Sequence, residues 1–119
     1  MARTHRSARQ AGTRFERQIA DYLATHLDDR IDRRVKTGAL DKGDIAGVRL
    51  PNGQKVVIEC KDTTRLNLAG WIGEAQIEAA NDGAAIGLVA HKRRGHGQPA
   101  DQYITMTLAD LTTLLGCAP

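Results

Sequence analysis

Two carboxylates and a lysine carry the chemistry that this sequence can be asked about. Glu59-Cys60-Lys61 ends the apolar run Val56-Val57-Ile58. Alternation along a strand puts Val57, Glu59 and Lys61 on one face and Val56, Ile58 and Cys60 on the other. A carboxylate and an ammonium thus project side by side, roughly 7 Å apart at their Cα atoms, from a strand apolar enough to be central. Charges there are costly unless paired, hydrated or bound to a metal. Gly43-Asp44-Ile45 offers a second carboxylate at the start of another apolar stretch. Acid, acid and lysine so arranged suit a metal site that hydrolyses phosphodiesters.

The elements that must position them follow from periodicity and turn chemistry. Met1 to Gly12 lacks apolar periodicity and reads as a mobile basic arm, leaving 13–119 as one domain. Thr13 can cap a helix running to about Leu27, with Phe15, Ile19, Ala20, Tyr22, Leu23 and Leu27 on its apolar arc. Glu16 falls inside that arc and needs a partner: an arginine, a metal or a metal-bound water. Ile31 to Thr37 reads as a polar edge strand. Asp44–Leu50 and Lys55–Lys61 read as a hairpin around Pro51-Asn52-Gly53. A second helix spans about Ala69 to Asp82, ended by Gly83 in a left-handed cap. Its inward face holds Trp71, Ile72, Ala75, Ala79 and Ala80, with Gln76 among them as a structural hydrogen-bonder or a ligand-orienting residue. Ala84–His91 is a buried strand, Tyr103–Thr107 a short one, and Thr107 with Asp110 caps a last helix ending near Gly116. The order is α-β-β-β-α-β-β-α, an α/β (α+β) fold with a mixed central sheet flanked by helices.

Composition narrows the partners. The 119 residues carry 17 Lys plus Arg against 14 Asp plus Glu, a net charge of +3. The cations cluster: Arg3, Arg6, Arg9, Arg14 and Arg17; then Arg30, Arg33, Arg34 and Lys36, with Lys42 beyond; then Lys92-Arg93-Arg94. Such clusters suit a polyanion, nucleic acid first, although each alone also fits a solvated surface. Four aromatic residues leave little for stacking on bases. Cys60 and Cys117 have no metal-ligand spacing and read as reduced thiols of a cytosolic protein. No apolar run reaches the length of a membrane span, so no membrane partner is expected.

In the order of these motifs the sequence resembles the PD-(D/E)XK nuclease superfamily, and within it the small Holliday-junction resolvases of archaeal and phage type. The matching residues are Gly12-x-x-Phe15-Glu16-Arg17, Thr37-Gly38, Gly43-Asp44-Ile45 and Val57-Ile58-Glu59-Cys60-Lys61. The likeness covers about residues 12 to 91 and implies a restriction-endonuclease-like αβββαβ core. Gly43 stands where the motif has proline, and Asp41, three residues before Asp44, is an alternative ligand. The resemblance implies Mg²⁺, with Mn²⁺ acceptable, held by Asp44, Glu59 and the backbone carbonyl of Cys60, with Glu16 adding a ligand directly or through water. Lys61 would position the attacking water and offset charge on the phosphate, and Gln76 would act from behind. Arg3, Arg6, Arg9, Arg14, Arg17, Arg33, Arg34, Lys36, Thr37, Lys42, Lys92, Arg93 and Arg94 would meet the DNA. The implied protein is a cytoplasmic prokaryotic or phage-encoded homodimer cutting branched double-stranded DNA. A restriction-like or mismatch-nicking enzyme, or a non-catalytic nucleic-acid-binding protein, are the alternatives.

Overall fold

Two nearly continuous apolar runs, 56–60 and 86–90, dictate the centre of the molecule, because a strand buried on both faces needs apolar residues on both. In the computed structural model, which describes residues 3–118, these runs are strands β3 (Val56–Lys61) and β4 (Ile86–His91). They pair in parallel, with Glu59 opposite Val89 and Lys61 opposite His91. A parallel pair needs a long crossover, supplied by helix α2 (Leu68–Asp82). Strands β1 (Asp32–Arg33) and β2 (Ile45–Ala46) extend the sheet on the β3 side, and β5 (Tyr103–Thr105) extends it on the β4 side. All three outer pairings are antiparallel. Helices α1 (His5–His26) and α3 (Leu108–Leu115) complete the expected α+β order around a mixed five-stranded sheet.

The two faces of the sheet differ. On one, Phe15, Ile19 and Ala20 of α1 pack with Val56, Ile58, Cys60, Ile86, Leu88 and Ala90. On the other, Trp71 and Ala75 of α2 pack on Val89. Alternation along β3 is therefore as expected, with Cys60 under α1 and Glu59 toward α2. Asn67 caps α2 through its side chain, and Gly83 closes it at φ +64° with its N–H given to Ala79 and Ala80 carbonyls. Thr107 caps α3 by accepting the Asp110 N–H.

Three expectations change. Helix α1 begins at His5, where Thr4 accepts the Ser7 N–H, so residues 5–12 are helical rather than an unstructured arm. The chain there has too few apolar residues for a stripe, yet Arg, Ala and Gln are good helix formers and Ala11 is buried. The strand expected over 31–37 shrinks to two residues, because its cations turn sideways to carboxylates on other elements. Leu27, expected on the apolar arc of α1, is 68% exposed at the end of the helix.

Gly87 sets how closely α2 lies on β4. A Cβ there would stand 2.9 Å from the Ala75 carbonyl carbon and 3.0 Å from the Ala79 Cβ. Gly87→Ala should therefore push the helix off the sheet, costing about 1–3 kcal/mol. Urea unfolding should show a lower midpoint at unchanged slope. A wild-type midpoint would mean that α2 does not press on β4 at this point.

Candidate metal centre

Asp44 reaches the site because the chain is pinned on both sides of it. Its N–H donates to the Ile58 carbonyl at 3.0 Å, and its own carbonyl accepts the Arg34 N–H at 2.8 Å. The turn before it needs Gly43: φ is +92°, and a Cβ would come within 2.7 Å of Val57 Cγ1. The Asp44 side chain then lies along β3, where Oδ2 accepts the Cys60 N–H at 2.8 Å and Oδ1 accepts Lys36 Nζ at 2.9 Å. The Cys60 carbonyl leaves the strand on the same side as that N–H, so the backbone oxygen expected to serve the site faces Asp44.

Glu59 is 5% exposed and projects toward α2. There it meets Glu78, itself 4% exposed. Asp41, from the loop before Asp44, completes a group in which one oxygen from each of Asp41, Glu59 and Glu78 lies within 4.8 Å of the others. Asp44 and Glu78 lie close enough to Glu59 to raise its hold on a proton, and Glu78 Oε2 is buried with no hydrogen-bond partner among the described residues. The structure thus brings Asp44 and Glu59 together and keeps Asp41 beside them. Lys36 joins the two aspartates, donating to Asp41 at 3.4 Å and to Asp44.

Sequence reasoning missed Glu78, although the signal was present. At 100° per residue Glu78 falls about 20° from Trp71 on the α2 wheel, at the edge of the arc that Trp71, Ala75 and Ala79 bury. Gln76 sits apart from the carboxylates. Its amide donates to Asp110 Oδ2 at 2.8 Å and to the Gly87 carbonyl at 3.3 Å, tying α2 to α3 and β4.

The electrostatics follow from crowding acids in a poorly hydrated place. Burial first, then Asp44 and Glu78, push the Glu59 carboxyl up to about 11. Glu78 is raised, chiefly by burial. Burial also acts to raise Asp44, but the hydrogen bonds from Glu59, the Cys60 N–H and Lys36 bring it below the usual carboxylate range. Glu16 approaches from α1, paired with Arg33 at 3.1 Å, and is raised by burial and by Asp44. Lys61 pairs with Glu74 at 2.9 Å. Burial opposes its charge, but the Glu74 hydrogen bond and the nearby acids hold it firmly protonated. The Cys60 thiol is raised by burial and inert.

An all-oxygen set of carboxylates with an adjacent backbone carbonyl fits a hard divalent cation such as Mg²⁺. Buried carboxylates brought this close need a proton or a cation between them, and the orphaned Glu78 oxygen leaves a place for one. Asp41, Glu59 and Glu78 would be its side-chain ligands as the carboxylates stand, and Asp44 would join them on leaving Lys36.

The expected DNA contacts divide into paired and unpaired cations. Arg3 pairs with Asp62, Arg17 with Asp21 and Asp32, Arg33 with Glu16 and Arg34 with Asp82. Lys92 donates to the His96 carbonyl, and Arg93 lies 5.3 Å from the centre of the Tyr103 ring. Arg6, Arg9 and Arg14, with Gln10 and Thr13, line a shallow depression on one face of α1. Thr37 and Lys42 line another beside Asp41, and Arg94 is exposed. Among the described residues, Arg6, Arg9, Arg14, Lys42 and Arg94 make no ion pair.

Comparison with known proteins leaves the family open. No family model matches the chain, and no solved structure matches it. The chain is 36% identical over 73 residues to the chaperone protein HscA of Salmonella arizonae, and equally to proteins of that name from Salmonella paratyphi B and Salmonella newport. The match covers 60% of this chain but only 11% of each chaperone.

The raised hold of Glu59 on its proton predicts how stability depends on pH. The Glu59 carboxyl titrates near 4.5 when unfolded and at about 11 when folded. Above its unfolded value the unfolded chain releases a proton that the folded chain keeps, so stability falls as pH rises. Thermal melts in EDTA should show a falling Tm from about pH 5 to about pH 9. Glu59→Gln, neutral throughout, should flatten that slope and be the more stable protein at the alkaline end. A slope unchanged in the variant would place the titration elsewhere. Mg²⁺ should raise the wild-type Tm most at alkaline pH, where it competes with fewer protons.

Proposed function

We propose that this chain is a Mg²⁺-dependent, structure-selective DNA endonuclease that resolves four-way junctions as a homodimer. The observation that carries the hydrolytic reading is the convergence of carboxylates from separate elements beside a lysine that stays charged. Asp41 and Asp44 come from the turn into β2, Glu59 and Lys61 from β3, and Glu78 from α2. The junction substrate and the dimer rest on the motif resemblance, and the cation clusters favour a polyanionic partner.

In this reading a bound Mg²⁺ supplies Lewis-acid charge neutralisation at the phosphate and an acidified water. The side chains have separable tasks. Asp41, Glu59 and Glu78 would hold the cation, and Asp44 would join them once free of Lys36. Until then Lys36 keeps the aspartates from driving each other apart. Lys61 is held charged, so it serves as a donor to the attacking water or to a phosphate oxygen rather than as a base. Its partner Glu74 is half exposed, and a phosphate arriving at Lys61 takes over that bond. Glu16, half-buried on Arg33, orders the rim of the site next to Asp44.

A panel of plain duplex, nicked, flapped and four-way DNAs with and without Mg²⁺ tests the proposal. The four-way junction should be cut in preference, and only with the metal. Glu59→Ala and Asp44→Ala should abolish cleavage while DNA binding persists or tightens, since repulsive carboxylates are gone. Lys61→Ala should lower the rate by about 10²–10³-fold, the usual loss for one preorganised donor. Equal cutting of plain duplex would favour a restriction-like or nicking enzyme. Metal-independent binding with no cleavage of any substrate would leave a nucleic-acid-binding protein whose acids are structural.

A further inference from the structure

A second charged site lies one helical turn beyond Glu78. Asp82, at the end of α2, accepts Arg34 Nη2 at 3.3 Å and lies 3.5 Å from Lys55 Nζ. Its side chain is 6% exposed. These groups line a cavity of about 170 Å³ together with Arg49. Three cations thus face a single carboxylate.

Two features show that Asp82 does not satisfy them. Arg49 and Lys55 stand directly opposite each other in an antiparallel bridge, an arrangement in which like charges repel. Arg49 gives one donor to the Gly53 carbonyl and pairs with no acid among the described residues. Arg34 has five N–H donors in a rigid fork. Its contact with Asp82 is long, and its Nε is buried with no hydrogen-bond partner among the described residues. A hairpin that places two cations side by side, next to a guanidinium with donors to spare, is stabilised by an arriving anion.

We propose that Arg34, Arg49 and Lys55 form a binding site for a phosphate group, oriented by Asp82. The cavity has room for several waters at about 30 Å³ each, enough for one tetrahedral anion. Arginine forks and a lysine ammonium are the donors that suit phosphate. The site flanks the carboxylates: Arg34 donates its N–H to the Asp44 carbonyl, and Asn81, next to Asp82, donates to the Asp41 carbonyl at 2.8 Å. That the phosphate belongs to a DNA backbone, beside the bond to be cut, rests on the nuclease reading. The phosphate site itself does not.

The test follows arginine Nε–H signals of the full chain by NMR. One arm adds inorganic phosphate alone, and the other adds a four-way DNA junction in EDTA. The Arg34 signal should move in both arms. The double variant Arg49→Gln/Lys55→Gln should lose the phosphate response. Its DNA affinity should also depend less on salt, with a slope lower by about two, one for each cation removed. Movement with phosphate but not with DNA would keep the phosphate site and reject the backbone role. An Arg34 signal unmoved in both arms, with variant and wild type binding DNA alike, would overturn the proposal. Cleavage of the junction in Mg²⁺ is scored separately. Cutting without an Arg34 response would sink this site and spare the nuclease, whereas a response without cutting would do the reverse.

Discussion

Carboxylates crowded into a nearly dry corner impose the constraint that organises this molecule. Asp44, Glu59 and Glu78 are each under a tenth exposed, where ionised groups repel strongly and water screens little. One lysine and one backbone amide offset that repulsion at Asp44, and at Glu59 the crowding raises the hold on a proton. Lys36 bridges Asp41 and Asp44, and the Cys60 N–H holds the far oxygen of Asp44. The chain from Arg33 to Lys36 accordingly behaves less as a strand than as a rail of cations. Arg33 goes to Glu16, Arg34 to Asp82 and Lys36 to Asp44. A local preference for extended backbone gives way to the need to neutralise acids on three other elements.

The sheet makes that crowding possible at tolerable cost. Strand β3 is braced by β2 and β4 and covered by α1 on one face. Its other face can therefore carry Glu59 and Lys61 without losing the strand. The close seat of α2 on Gly87 brings Glu78 and Glu74 down to meet them. A similar economy holds midway along α2, where Gln76 and the Gly87 N–H both donate to Asp110, so a first-turn residue of α3 also fixes the depth of α2. The position of the acidic site thus depends on packing several residues away from any acid.

Much of this could be read from residues alone, and the failures share a cause. Period-two alternation placed Glu59 and Lys61 on one face, and the Gly83 and Thr107 caps lay where turn chemistry put them. Asp44 and Glu59 converge because the hairpin register is fixed by Pro51-Asn52-Gly53 and the apolar pattern on either side. The sequence reading singled out Gln76 on the inward face of α2 and did not consider Glu78. Glu78 lies about 20° outside Trp71 on the wheel, at the edge of the inward arc, where periodicity alone does not tell a buried acid from a rim residue. The early start of α1 was missed since its first two turns are held by Thr4 and by propensity rather than by an apolar stripe. The Arg34–Asp82 pairing joins residues 48 apart, and no local pattern encodes it.

The same charges that suit a metal work against a nucleic acid. A phosphodiester approaching Glu59 meets carboxylates, so affinity must come from cations placed around them rather than within them. Lys36 is already committed to the aspartates and Arg17 and Arg33 to their own acids. The uncommitted positive surface is therefore narrower than composition suggests. It includes the Arg6–Arg9–Arg14 face of α1, Lys42 and Arg94, and in the cavity beyond Glu78 it includes Arg49 with the spare donors of Arg34. Neutralising phosphates at such patches releases counterions and makes affinity steeply salt-dependent. Binding held there would persist when a carboxylate of the centre is removed, because the two tasks use different side chains. A protein whose acids served only to hold the fold would gain nothing from that separation.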